Sequence, residues 1–144
     1  MEISLDTNET PQKSEDCYAA NAAAVLFLFL KYKKIGENQK GTGRILTIIM
    51  PCELDHHNAE KLKTGADKII QSKNIRSIVF DFGKTNFMDS SGIGMIMGRY
   101  KMIRFMGGKV IAIRANQRIR RILTLSGVYK VMDIYEGLPK QSEL

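Results

Sequence analysis

Cysteine is scarce in this sequence. Its 144 residues include two cysteines, Cys17 and Cys52, which have no paired spacing. A disulfide framework shows several cysteines at regular intervals, and a cysteine-based zinc site needs closely spaced pairs. The sequence therefore predicts neither, and it favours the reducing cytoplasm as the location of the protein.

An apolar run long enough to cross a membrane is also missing. Residues 19–30, AANAAAVLFLFL, are almost wholly apolar, but a spanning helix needs about 20 such residues. Acidic residues precede the run, whereas a signal peptide begins with basic ones. Lysines follow it, so membrane contact through residues 19–34 remains the less favoured alternative to a buried first strand over Val25–Ile35.

No grouping of nucleophile, base and acid is recognisable, and the chain has neither internal repeats nor low-complexity segments. Gly92-Ile93-Gly94 is a weak nucleotide motif, because the third glycine of a dinucleotide fingerprint is out of place. These absences argue against an enzyme, and the sequence predicts no catalytic residue and no cofactor.

A histidine pair follows acidic residues in Glu53-Leu54-Asp55-His56-His57. Asp-His-His occurs in metal-dependent phosphoesterases, but such sites need further carboxylates at set distances, and no Asp-x-Asp cluster precedes this one. Metal-dependent hydrolysis is thus an alternative with too few ligands, and we predict no metal site. A loop that contacts a partner is the favoured interpretation.

Basic residues outnumber acidic ones, 22 to 15, which gives a net charge of +7 and a pI near 9.5. Such a balance favours acidic partners, although a solvated surface is the commoner outcome. Docking on an acidic protein ranks second and nucleic acid third, because no recognition motif or set of aromatic platforms accompanies the charges. The later basic residues are Arg99, Lys101, Arg104, Lys109, Arg114, Arg118, Arg120 and Arg121.

Short β-branched runs alternate with helical patterns from residue 44 onward. The runs at 44–50, 75–82, 109–113 and 131–135 predict strands. The apolar spacing from Ala59 predicts a helix capped by Asn58 or Asp55, and further helices are expected after residue 89 and over 116–127. In the second helix, one side would carry Ile93, Ile96, Met97, Tyr100 and either Ile103 or Arg104. This alternation indicates an α/β fold with a largely parallel sheet and one antiparallel pair near the N-terminus.

Asp89-Ser90-Ser91-Gly92 lies at the predicted start of the second helix. The first amides of a helix have no internal partners and carry partial positive charge, so an oxygen or a phosphate is stabilised there. The spacing alone favours Ser90 or Ser91 as the N-cap. The alternative is that Ser90 accepts a phosphate, and Gly92 and Gly94 would then let a partner approach closely.

Two segments, CELDHHNAE (52–60) and FMDSSGIGMIMGRYK (87–101), resemble the anti-sigma factor antagonists, most closely those of sporulation. The resemblance implies the STAS fold of that family, a mixed and mostly parallel sheet of four to five strands packed with helices. We expect this STAS domain over residues 25–144, after a poorly ordered N-terminal extension over residues 1–24.

The resemblance also implies a function without catalysis. In this family the unphosphorylated protein binds an anti-sigma factor that is a serine kinase, which frees a sigma factor for transcription. The kinase phosphorylates the first serine of the motif, here Ser90, and a metal-dependent serine phosphatase reverses the reaction. The implied partner-binding residues are Asp55, His56, His57, Asp89, Ser90, Ser91, Gly92 and Gly94. The alternative is a STAS scaffold or regulatory subunit of a stress-sensing or transport complex.

Overall fold

Strands and helices alternate along the computed structural model, which describes residues 30–34, without their side chains, and 44–137. Three α-helices and seven strands lie within these ranges. The strands are β1 (Leu30–Lys34), β2 (Arg44–Ile49), β3 (Glu53–Leu54), β4 (Ile75–Asp81), β5 (Phe87–Met88), β6 (Lys109–Ile113) and β7 (Asp133–Tyr135). The helices are α1 (His56–Ser72), α2 (Ser90–Phe105) and α3 (Gln117–Leu125), and a short 3-10 helix spans Val128–Lys130.

The main sheet has five strands in the order β1-β2-β4-β6-β7. β1 pairs antiparallel with β2, and every other neighbouring pair in this sheet is parallel. The predicted α/β class, the parallel sheet and the antiparallel pair are therefore confirmed. β1 falls within the strand predicted over Val25–Ile35, and the rest of that range lies outside the described residues, as does the predicted extension over residues 1–24.

No helix in the described parts of the chain is long and apolar enough to span a membrane.

The core lies mainly between the sheet and the helices. Alternate residues of a strand point to opposite faces, so Leu46 and Ile48 of β2 join the large apolar cluster that includes residues of all three helices. Ile45 belongs to a smaller cluster with Val79 and Ile111 on the other face. The alternation therefore positions the helices on one side of the strands and fixes the register of the sheet.

The inward side of α1 is the one that the sequence predicts. Ala59, Leu62, Ala66 and Ile70 are buried, at the spacing of one helix face. Asp55, one of the two predicted caps, is the N-cap.

The inward side of α2 matches the prediction in part, since Ile93 and Met97 are partly buried against the core. Met95, Ile96 and Ile103 are buried as expected of apolar residues, but so is the cationic Arg99, while Tyr100 is half-buried. Apolar spacing is a weak guide in this helix, because glycines and methionines lie on several sides of it.

Cys52, between β2 and β3, is disulfide-bonded. With two cysteines in the sequence, this bond is not the framework of several disulfides that the sequence argues against. The backbone carbonyl of Cys52 also accepts hydrogen bonds from the amides of Asn86, at 2.8 Å, and Phe87, at 3.2 Å.

The turn from α2 into β6 leaves no room for a side chain at Gly108. A Cβ added there would lie 1.9 Å from the carbonyl oxygen of Arg76 and 2.6 Å from a methyl carbon of Ile103. At Gly94, within α2, an added Cβ would meet no atom within 4 Å.

We expect Gly108→Ala to lower the free energy of unfolding by about 2–3 kcal/mol, because backbone must move to relieve the contact. Gly94→Ala is the matched control, and it should raise the free energy by about 1 kcal/mol through helix propensity. Urea unfolding followed by circular dichroism measures both, and equal stabilities of the two variants would contradict the packing described.

Candidate docking site

Two very short strands bring the starts of α1 and α2 together. β3 and β5 pair in parallel, with Glu53 opposite Phe87 and Leu54 opposite Met88. The amide of Asp89 continues this pairing by donating to the carbonyl of Leu54 at 3.2 Å. Because each strand leads directly into a helix, the two helices begin side by side at one end of the sheet.

The residue after each short strand is an aspartate that caps its helix. The Asp55 carboxylate accepts from the amide of Asn58 at 2.9 Å, and the Asp89 carboxylate accepts from the amides of Ser91 at 2.9 Å and Gly92 at 3.3 Å. The prediction that Ser90 or Ser91 caps α2 is therefore wrong. Asp89 takes this role because it holds the extended backbone conformation of an N-cap, one residue before the helix.

The two serines consequently have different environments. Ser90 is exposed on the first turn of α2, whereas Ser91 is half-buried. The hydroxyl oxygen of Ser91 lies 3.3 Å from Nδ1 of His56 in α1. This contact joins the two helix starts directly, and it leaves Ser90 as the serine that faces solvent.

Asp55, His56 and His57 were predicted to lie in a loop. Asp55 was also one of the two predicted caps, and it is the N-cap. His56 and His57 lie in the first turn of α1 instead of a loop, with both histidines exposed. The structure nevertheless brings His56 to Ser91, as expected for residues near one surface. No group of three or more histidine, cysteine or carboxylate side chains in 44–137 is arranged to hold a metal ion.

The two glycines of this motif lie in different surroundings. Gly92 is buried, and a Cβ at this position would come within 2.6 Å of the Met88 side chain and 2.8 Å of Leu54. Its missing side chain is thus required by packing beneath β3 and β5, a different reason from the predicted approach of a partner. Gly94 is exposed, with open space around it.

The segment before β5 is anchored from three sides. The Thr85 hydroxyl donates to the carbonyl of Pro51 at 2.8 Å, and the Asn116 side-chain amide donates to the carbonyl of Thr85 at 3.0 Å. Asn116 is also the N-cap of α3. The site therefore rests on hydrogen bonds to the segment that follows β2 and to the N-cap of α3 as well as on its own strands.

Asp81, at the end of β4, holds the start of the same segment. Its buried carboxylate accepts from the amide of Gly83 at 2.9 Å and from the Arg114 guanidinium, with Nε at 3.0 Å. The hydrogen bond with Asp81 raises the pKa of Arg114, and the nearby negative charge acts in the same direction, against partial desolvation. Arg114 was expected on a solvated basic face, and its side chain is 56% exposed while it pairs with this buried carboxylate.

Arg99 is a residue whose surroundings the sequence does not reveal. It was grouped with the solvated basic residues, yet it is only 5% exposed and its Nε lies 2.9 Å from a carboxylate oxygen of Asp67 in α1. Asp67 and Arg99 belong to different helices, so the pairing depends on how α1 and α2 pack. A cavity of about 300 Å³ lies beside Arg99 between these helices.

Comparison with known proteins agrees with this architecture. The family model of the STAS domain matches residues 38–140, and the chain belongs to this family. It is 38% identical over 93 residues to an anti-sigma F factor antagonist of Paenibacillus polymyxa, across 65% of this chain and 80% of that protein. The resemblance to anti-sigma factor antagonists is thereby confirmed.

Two solved structures share the fold. The unphosphorylated form of the anti-sigma factor antagonist SpoIIAA aligns with a TM-score of 0.60 at 23% identity, over 79% of this chain and 90% of that one. The phosphorylated form of SpoIIAA, a cell fate determinant of Bacillus, aligns with a TM-score of 0.53 at 23% identity, over 78% of this chain and 94% of that one.

The capping role of Asp89 is testable by stability. Asp89→Ala should lower the free energy of unfolding by about 1 kcal/mol, because two amides lose their acceptor. Asp89→Asn retains a capping oxygen and should lose less than about 0.5 kcal/mol. Chemical denaturation measures both variants. Equal losses would show that the negative charge, rather than the capping oxygen, stabilises this helix start.

Proposed function

We propose that this protein is an anti-sigma factor antagonist that is switched off by phosphorylation of Ser90. In its unphosphorylated form it binds an anti-sigma factor that is also a serine kinase, and this binding releases the sigma factor. The kinase phosphorylates Ser90, and a metal-dependent serine phosphatase restores the active form. The protein itself performs no catalysis and acts in the cytoplasm. The family membership and the named relatives support this role.

The main support for this proposal is the position of Ser90. Asp89 caps α2, so the Ser90 hydroxyl is not needed for the start of the helix. Ser90 is exposed, while Ser91 is half-buried and contacts His56. A kinase must bring the acceptor hydroxyl to the nucleotide phosphate, and of the two serines Ser90 is the one that offers this access.

A phosphate at Ser90 would be compatible with the fold. Two helices begin side by side here, and helix starts carry partial positive charge that stabilises anions. The phosphorylated and unphosphorylated forms of SpoIIAA both share the fold of this chain, which supports a modification that leaves the fold intact.

The same phosphate would change what can bind at this surface. It adds about −1.5 to −2 charges at neutral pH, next to Asp55 and Asp89, which are already negative at this site. We propose that the partner contacts the surface around Ser90 formed by Asp55, His56, His57, Asp89, Ser91 and Gly94. Phosphorylation would then repel acidic groups or bound nucleotide in the partner, because like charges opposed across an interface are costly.

Binding to the host's anti-sigma factor kinase tests the switch. Ser90→Asp should weaken binding at least about tenfold, or about 1.4 kcal/mol, because it places a permanent negative charge at the acceptor position. Ser72→Asp adds the same charge at the exposed far end of α1 and should leave affinity unchanged. Isothermal titration calorimetry distinguishes the variants, and equal affinities for Ser90→Asp and wild type would refute the switch.

Incubation with the same kinase and ATP locates the acceptor. Intact-mass measurement and peptide mapping should find a single phosphate at Ser90, which Ser91→Ala retains. Ser90→Ala should bind the kinase yet gain no phosphate, so that ATP no longer releases it. Modification at Ser91 or at a distant residue would contradict the assignment.

A further inference from the structure

A groove between α1 and α2 begins at the proposed docking surface. Its cavity of about 300 Å³ is lined by His56 and Ser91 near the helix starts and by Lys63 and Arg99 farther along the helices. Ser91 and Arg99 lie two helical turns apart, about 12 Å at the rise of an α-helix. The groove is therefore continuous with the surface around Ser90 and extends away from it.

The groove has room because two of the α2 residues that line it are glycines. Gly94 and Gly98 are one turn apart and line the cavity, and residues at this spacing share a helix face. A Cβ added at either glycine would meet no atom within 4 Å. These glycines thus fulfil no packing requirement within the described protein, unlike Gly92 and Gly108.

Arg99 gives the groove a specific chemistry. Its side chain is only 6% exposed and forms part of the groove wall. Nε lies 2.9 Å from the Asp67 carboxylate as an ion pair, and among the described residues neither Nε nor Nη1 has a hydrogen-bond acceptor of good geometry. A buried guanidinium with unused donors gains from a further acceptor, and its planar fork matches a carboxylate.

The exposed charges at the edge of the groove have opposite signs. Lys63 and Glu60 of α1 both line the cavity and are exposed. An incoming carboxylate would be attracted by Lys63 and Arg99 and opposed by Glu60 and Asp67. The overall charge of +7 favours an acidic partner as well.

We propose that this groove receives an acidic side chain, aspartate or glutamate, of the protein that docks at Ser90. This inference rests on the proposed function, since the docking partner is the anti-sigma factor kinase. His56 and Ser91 belong both to the docking surface and to the groove wall, so one partner covers both. The carboxylate approaches over Gly94 and Gly98 and pairs with Arg99, with Lys63 at the entrance.

Filling the groove tests the contact. Gly98→Leu places a side chain where the partner's would lie, and we expect affinity for the purified kinase to fall at least about tenfold, as at a central interface contact. Its melting temperature should not decrease, because leucine favours a helix more than glycine does. Gln71→Leu, an exposed substitution on α1 outside the groove, is the control and should bind as wild type.

Two charge substitutions test whether the side chain in the groove is acidic, because they should change the affinity in opposite directions. Lys63→Gln should weaken binding and Glu60→Gln should strengthen it, each by about twofold to fivefold at low ionic strength, as expected for exposed charges. Both residues lie on the surface, so folding should be retained.

The outcomes separate this inference from the switch at Ser90. If Gly98→Leu binds as wild type while Ser90→Asp still binds weakly, the groove contact is overturned and the switch stands. If Gly98→Leu weakens binding but the two charge variants show no change or the opposite signs, an acidic occupant is overturned. If neither Gly98→Leu nor Ser90→Asp changes affinity, both proposals fail.

Discussion

The parallel pairing of β3 with β5 is the constraint on which the site depends. Only two residues of each strand take part, yet each strand leads through one aspartate directly into a helix. The pairing therefore sets the starts of α1 and α2 next to each other, with Asp55 and Asp89 in equivalent positions. Together with the packing of α1 against α2, it supports the contact between His56 and Ser91 at 3.3 Å.

Neighbouring residues of one motif differ in their structural roles. Asp89 satisfies the helix amides and Gly92 fits beneath Leu54 and Met88, so both are committed to the fold. Ser90 is exposed, and its side chain neither caps the helix nor packs in the core. This difference explains how a charge could be added at Ser90 while the helix start and the core beneath it keep their contacts, which is what a reversible switch requires.

Sequence patterns predicted the larger elements and missed features that depend on contacts between them. The runs at 44–50, 75–82 and 109–113 were recognisable as strands because β-branched residues continue for several positions. β3 and β5 were not recognisable as strands, since a segment of two residues is too short to show an alternating pattern. Arg99 was placed among solvated cations, because a basic residue on a helix is usually exposed, and its pairing with Asp67 follows from the packing of two helices.

The sequence by itself determined the alternation of strands and helices, the resemblance to the anti-sigma factor antagonists and the segment in which Ser90 lies, because these depend on local pattern and residue identity. Only the tertiary structure decided that Asp89 is the cap, that Gly92 is packed while Gly94 and Gly98 border a groove, and that Arg99 is buried beside Asp67. These properties depend on distances between residues far apart in the chain, which the pairing of strands and the packing of helices establish.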